Sequence, residues 1–373
     1  NQVIMLSLNM VIIASMIGAG GLGFDVLNAL RRLDFGAGLE AGFAIVALAI
    51  ALDRLSQAVA RRGYRAPLPG GPVARHPYLV SALALIAGAA LIGLAVPAVQ
   101  TYPEAARLST STFWAAAVEW INVTFFDTLE AIKNTILLWL LVPVKRFLVE
   151  MPWAVAVALL GLLGWRLGGW RLAALVAGLA FLIAATGQWE KAMITVYLCG
   201  ISTLIALAVG LPVGIAVAGR DRAWAVTRTV IDTLQTLPSF VYLMPVVMLF
   251  RVGDFTAMIA VVAYAVVAVI RYTVLGLQGV DPRLVEAGRA MGCTPWQLLT
   301  RIRLRLALPE ILLGVNQTIM FALSMLVITA LVGTRDLGQD VYIALNKANP
   351  GNGLVDGLAI AFIAIIADRL LAA

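Results

Sequence analysis

The chain has 373 residues, 62% of them apolar and 13% charged, with a mean hydropathy of +0.96; ordinary soluble domains carry about 25% charged residues, so a soluble enzyme or binding module is excluded. The net charge of +7 is therefore read through membrane topology and not as a nucleic-acid footprint. One histidine (His76) leaves no metal cluster to assemble, Cys199 and Cys293 sit on different expected membrane levels and argue against a disulfide, and none of the four lysines (133, 145, 191, 347) follows a glycine, which removes a Walker A phosphate loop.

Residue 1 is Asn and no charged segment precedes the first apolar run, so the beginning reads as a cut through a longer sequence, not a signal peptide. Residues 1–55 align without a gap on 316–370, with about 25 of the 55 pairs identical. The matches include Asn1-Gln2 on Asn316-Gln317, Leu22-Gly23 and Asp25-Val26 on Leu337-Gly338 and Asp340-Val341, and Asp53-Arg54-Leu55 on Asp368-Arg369-Leu370. Shared hydrophobicity does not align Asn, Gln, Asp and Arg, so the pattern is a tandem duplication of a membrane unit. The first copy supplies domain 1–55, with spans at about 3–19 and 40–54, and 56–78 is a basic Pro/Gly-rich linker. The accessory region 79–187 opens with a span at about 79–98. An amphipathic helix over Phe113–Val142 follows, whose Glu119, Asn122, Asp127, Glu130, Lys133 and Asn134 fall in one arc. A transmembrane placement would bury those groups, so the helix is expected to lie in the membrane interface. Two short apolar runs, 152–166 and 171–187, flank Arg166 and Arg171.

The unit 188–373 reads as five spans, at about 190–218, 238–252, 255–279, 311–332 and 354–371. Pro238 and Pro245 interrupt the second, and broken helices free backbone carbonyls only where a cavity or protein accepts them. Phe240, Tyr242 and Met244 lie beside the break; they either line a passage, where aromatic faces suit a quaternary ammonium ion, or pack neighbouring spans. Asn316 and Gln317 are polar amides near one end of a span, and interhelical hydrogen bonding is the favoured reading over substrate contact. Gly333–Gly353, with Asp336, Asp340 and Pro350, reads as a loop at the opposite membrane face.

Residues 281–310 form the longest polar stretch. Asp281 caps a first short helix with Pro282 at its first position, and Gly292 ends it. Thr294 caps a second that Pro295 opens, with Gln297 placed for a capping box. This helix–Gly–helix elbow between two spans is expected to face water with six arginines (271, 283, 289, 301, 303, 305). Segments assigned to the elbow's side (53–78, 166–171, 219–237, 271–310, 368–369) hold 17 arginines against 7 acids, and the rest holds 10 basic residues against 13 acids. The positive excess puts the elbow inside. The total is about ten spans plus one interfacial helix in an all-α polytopic membrane protein.

The elbow resembles the cytoplasmic coupling loop of type I, binding-protein-dependent ABC importer permeases, a Glu-Ala-Ala-x-x-x-Gly motif followed by Ile-x-Leu-Pro. The matching residues are Glu286-Ala287-Gly288, Gly292 and Ile302-Arg303-Leu304; Gly288 replaces the second Ala, and Arg305 stands where the first Pro belongs. The run from Glu286 to Leu370, with Leu308-Pro309, is similar to the branch that imports glycine betaine, proline betaine and choline. The resemblance implies a permease core with a partial second copy, in a bacterial inner membrane with the elbow in the cytoplasm. It also implies two separate ABC ATPase subunits that bind ATP and Mg, a periplasmic or lipid-anchored substrate-binding protein, and alternating access. Glu286, Ala287, Gly288, Gly292, Thr294 and Pro295 are the implied ATPase-coupling residues, and Pro238, Phe240, Tyr242, Met244, Pro245, Asn316 and Gln317 the candidates for the translocation path. No catalytic or metal site is expected. Two rivals stand beside this reading: a permease for another small solute, and a secondary transporter. The latter predicts ionisable residues at mid-span, whereas Asp53, Arg54, Asp368 and Arg369 lie at span ends.

Overall fold

The computed structural model describes residues 14–15, 18–32, 34–61, 77–95, 108–236 and 239–373, and the regular elements among them are all helical. Three long helices form the centre: Trp189–Ala218, Asp254–Gln278 and Leu308–Thr329, the last extended by a 3-10 turn, Ala330–Val332. Small residues bring them together, as lipid-embedded helices require in the absence of a hydrophobic driving force between them. A Cβ at Gly210 would sit 1.9 Å from Val269 Cγ1, one at Gly214 2.7 Å from Thr273 Cβ, and one at Gly314 2.6 Å from Tyr272 Cβ.

Among the described residues, five helices are long and apolar enough to cross a membrane: Gly36–Ser56, Trp153–Ala185, Trp189–Ala218, Asp254–Gln278 and Leu308–Val332. One of these is folded on itself. Gly168 and Gly169 leave helical geometry, Gly169 at φ 74°, and the ring centroids of Trp153 and Phe181 lie 6.2 Å apart. An unbroken helix would separate those residues by about 40 Å. Trp153–Ala185 is therefore a hairpin of two short arms, closed where a Cβ on Gly164 would lie 3.1 Å from Ala173 Cα. The two short apolar runs flanking Arg166 and Arg171 are these arms.

The other expected spans differ in length. Most of 3–19 lies outside the described residues. The run 79–98 is the helix Pro77–Ala95, and 354–371 starts earlier, at Pro350. The stretch 238–252 is a helix of only 12 residues, Ser239–Phe250, about 18 Å long and short of the roughly 30 Å hydrocarbon layer. Gly333–Gly353 is not a plain loop, since it holds the helix Leu337–Asn346. Asp336 caps it by accepting from Gln339 N at 3.1 Å. Gly338 is there for close approach, its Cβ position lying 2.9 Å from Leu326 O. The helices Leu22–Arg32 and Phe35–Arg61 begin at the residues that the sequence repeat pairs with Leu337 and Pro350.

The stretch Phe113–Val142, expected to lie in the membrane interface, is helical beyond its expected end, as Ser111–Thr124, Phe126–Ile136, a π turn over Leu137–Leu141, and Val142–Val149. It touches the ends of core helices remote from the elbow. Asn122 Nδ2 donates to Met248 O at 3.0 Å, Lys145 pairs with Asp254 at 2.7 Å, and Trp114 tilts against Phe43 at 5.0 Å. Trp120, Val123, Leu138, Trp139 and Phe147 stand exposed along it.

Candidate functional site

The elbow is built by local capping. The Asp281 carboxylate accepts from Arg283 N at 2.9 Å and Pro282 opens the helix Pro282–Ala290. Gly292 turns the corner at φ +79°, a backbone state that L side chains rarely adopt. Thr294 and Gln297 complete a reciprocal capping box, at 3.3 Å (Gln297 N to Thr294 Oγ1) and 2.9 Å (Thr294 N to Gln297 Oε1). The second arm runs Pro295–Gln297, through a π turn over Leu298–Arg303, to Leu304–Leu306. Gly288 lies under it: a Cβ there would meet Ile302 Cδ1 at 2.5 Å and Leu298 Cδ1 at 2.9 Å. The close approach at Gly288 is thus between the two arms.

Several contacts brace the elbow on the core, among them the packing of Leu299 and Leu304 against Val274 and Leu277. Arg303 Nη2 donates to Leu277 O at 3.1 Å, and Gly276 lets Ala307 O and Glu310 Cβ approach within 3.1 and 2.9 Å of its Cβ position. Arg303 is half-buried, and Arg271 pairs with Asp232, so of the six arginines expected in water only 283, 289, 301 and 305 stand exposed. Glu286, Ala287, Thr294 and Pro295 are exposed too. Beside them are three large apolar side chains: Leu284 at 47%, Met291 at 77% and Trp296 at 71% exposure. Exposed apolar side chains among charged neighbours are what protein-contact surfaces present.

The other candidates divide. Tyr242 is buried, its hydroxyl donates to Leu234 O, and its ring meets Tyr264 edge-on at 5.7 Å. Tyr264 continues the chain of rings to Phe321 at 5.5 Å. Met244 is buried against Gly38, so it packs the helix Phe35–Arg61 on the core. Pro245 is exposed within its helix. Pro238 and the side chain of Phe240 lie outside the described residues. Asn316 Nδ2 donates to Asp368 Oδ1 at 2.7 Å, an interhelical bond, and Gln317 is half-buried one residue on. Tyr264 and Phe321 were not singled out from the sequence, since they sit in apolar runs with no punctuation to flag them. At the end remote from the elbow, Asp336 accepts from Thr334 Oγ1 at 2.8 Å, and burial pushes its carboxyl above the usual carboxylate range. Nearby, Lys191 pairs with Asp340.

Residues 210–371 match the family described as binding-protein-dependent transport system inner membrane component. Over its whole length the chain is 37% identical to the trimethylamine N-oxide transport system permease protein TmoV of Pelagibacter ubique, covering 53% of that protein. It is 33% identical to the protein of the same name from Ruegeria pomeroyi, covering 57% of it. Over 255 residues it is 37% identical to the glycine betaine/proline betaine transport system permease protein ProW of Escherichia coli, covering 68% of this chain and 71% of ProW. The chain therefore spans about half the length of the two trimethylamine N-oxide permeases.

Proposed function

Because the chain belongs to the family of binding-protein-dependent transport system inner membrane components, we propose that it is the membrane-spanning part of an ATP-driven importer of small methylated onium compounds, glycine betaine and trimethylamine N-oxide among them. The observation that carries this reading is the elbow: doubly capped, turned at Gly292, braced on Leu277 by Arg303, and displaying Leu284, Met291 and Trp296. An ATPase subunit docking on that patch in the cytoplasm moves a rigid lever, and the lever moves the helices Asp254–Gln278 and Leu308–Thr329 to which it is joined. Glu286 supplies the charged contact, Gly292 the corner, and Gly288 the fit between arms. The chain itself contributes no catalytic group; ATP and Mg belong to the partner.

The cargo class follows from the relatives' names and from the rings of Tyr242, Tyr264 and Phe321, whose faces attract an onium ion by about 1–2 kcal/mol each when desolvated. A binding protein delivers the solute at the end remote from the elbow, where Lys191, Asp340 and the helix Leu337–Asn346 lie. Residues 1–55 act as the last two spans of a first permease unit, a role supported by the matched helix starts at Leu22 and Phe35. The test is reconstitution with the ATPase and binding protein. Glu286→Ala and Gly292→Val should each leave ATP hydrolysis running while solute uptake falls; wild-type coupling in both variants would refute the lever.

A further inference from the structure

At the end remote from the elbow, a cleft of about 200 Å³ opens between the helical stretch 111–149 and the turn that follows Ser239–Phe250. It is smaller than the roughly 300–1,000 Å³ of drug-sized pockets, so its occupant has few heavy atoms. Asn122, Phe126, Glu130 and Lys133 line it from that stretch, and Phe250 and Arg251 from the opposite wall. Asn122 closes the back by donating to Met248 O at 3.0 Å. Phe250 is fixed edge-on against Phe255 at 5.0 Å, and Phe126 is half-exposed into solvent.

The charges are arranged asymmetrically. Lys133 is engaged by Glu130 at 3.0 Å, which leaves the carboxylate's other oxygen for a second cation. Arg251 is exposed and makes no ion pair among the described residues. Its backbone sits at φ +63°, in the left-handed region that a glycine enters freely and an arginine enters at a cost. The Thr256 hydroxyl donates to the Arg251 carbonyl and holds the turn. The turn thus puts Arg251 in the lining of the cleft against the preference of its own backbone.

We propose that this cleft binds a zwitterion: the onium head against Phe126, Phe250 and Glu130, and the anionic oxygens against Arg251. Ring faces attract onium ions without hydrogen bonding, and a guanidinium forks onto a carboxylate or phosphate. The proposal rests on the importer reading in one respect, that the free solute is the methylated cargo on arrival. A phosphoethanolamine lipid headgroup has the same chemistry and is the other source.

The test uses the full chain in nanodiscs of phosphatidylglycerol, probed separately with labelled glycine betaine, choline and dihexanoyl phosphatidylethanolamine. Arg251→Gln should weaken glycine betaine about tenfold and leave choline, which has no anionic group, unchanged. Glu130→Gln should weaken both, and unchanged choline binding in Arg251→Gln doubles as the folding control. Arg251→Gly relaxes the turn, so it should be at least as heat-stable as wild type and equally weak for betaine. If only the phospholipid binds, with the same dependence on Arg251, the cleft is a zwitterion site whose source is lipid. Equal betaine and lipid affinities in wild type, Arg251→Gln and Arg251→Gly, or no binding of any probe, would overturn the site. Uptake by the assembled importer separates the two readings. Methylated-amine import at an unchanged KM in Arg251→Gln rules out the cargo as the cleft's occupant and leaves the lipid arm to decide the site, whereas absent import by wild type overturns the importer and leaves the binding result to decide the cleft.

Discussion

Replacing Arg303 with Met separates the brace from the fold. In the wild type, Arg303 Nη2 satisfies the carbonyl of Leu277, a buried residue in the last turn of its helix, where carbonyls lack intrahelical partners. Removing the donor leaves that carbonyl unpaired, at about 1–3 kcal/mol. Arg303 also buries its Nε without a partner, an existing cost of the same size, roughly 1–3 kcal/mol, which methionine abolishes. The two terms oppose each other, so the stability of the purified protein should change by no more than about 1 kcal/mol. Coupling has no such compensation, because the elbow would be held to Asp254–Gln278 only by packing contacts such as those of Leu299 and Leu304. Coupling free energies between sites run about 1–3 kcal/mol, so ATP hydrolysed per solute imported should rise at least about fivefold. The assay pairs thermal unfolding in detergent with ATPase and uptake in proteoliposomes. Wild-type stoichiometry in Arg303→Met would refute the brace, and a loss of several kcal/mol would refute the cancellation.

Four further outcomes follow from the same geometry. Trp296→Ala, at a 71% exposed position, should weaken ATPase-subunit binding about tenfold or more if it is an interface anchor, with an unchanged melting temperature; titration of the ATPase onto nanodiscs reads it. Asn316→Leu removes the bond to Asp368 and should destabilise by about 0.6–2 kcal/mol in denaturant titration. Gly214→Leu drives a side chain into Thr273 and should cost at least about 1–3 kcal/mol, seen as loss of the monodisperse peak in size-exclusion chromatography. Asp336 has a raised carboxyl pKa when folded, so its favourable contribution is fully present below the unfolded value of about 3.9 and is lost as pH rises through the folded value. Asp336→Asn, which keeps the Oδ1 acceptor, should flatten that part of the stability–pH profile.

The parts of this molecule legible in its sequence are those fixed by local chemistry. Asp281-Pro282, Gly292 and Thr294-Pro295 with Gln297 dictate their own backbone, so the elbow was readable to the residue. The separation of 152–166 from 171–187 was also readable, because Gly168-Gly169 break the helix whatever surrounds them. The misreadings arose where a residue's role is set across space. Gly338 looks like a loop residue in one dimension and is a contact point against Leu326 in three, so the helix Leu337–Asn346 passed for a loop although Asp336 and Gln339 cap it. Arg303 looked like one more solvated arginine because nothing local shows that Leu277 O lies within its reach. Tyr264 and Phe321 are silent in apolar runs, since a ring at a helix interface and a ring beside a cargo obey the same spacing. The limit is physical: capping and chain reversal are encoded within about four residues, while tertiary contacts are encoded in pairs such as Arg303 with Leu277, 26 residues apart. For this chain the elbow is local and its attachment to the core is not, which is why the motif could be recognised before Arg303, the residue that braces it.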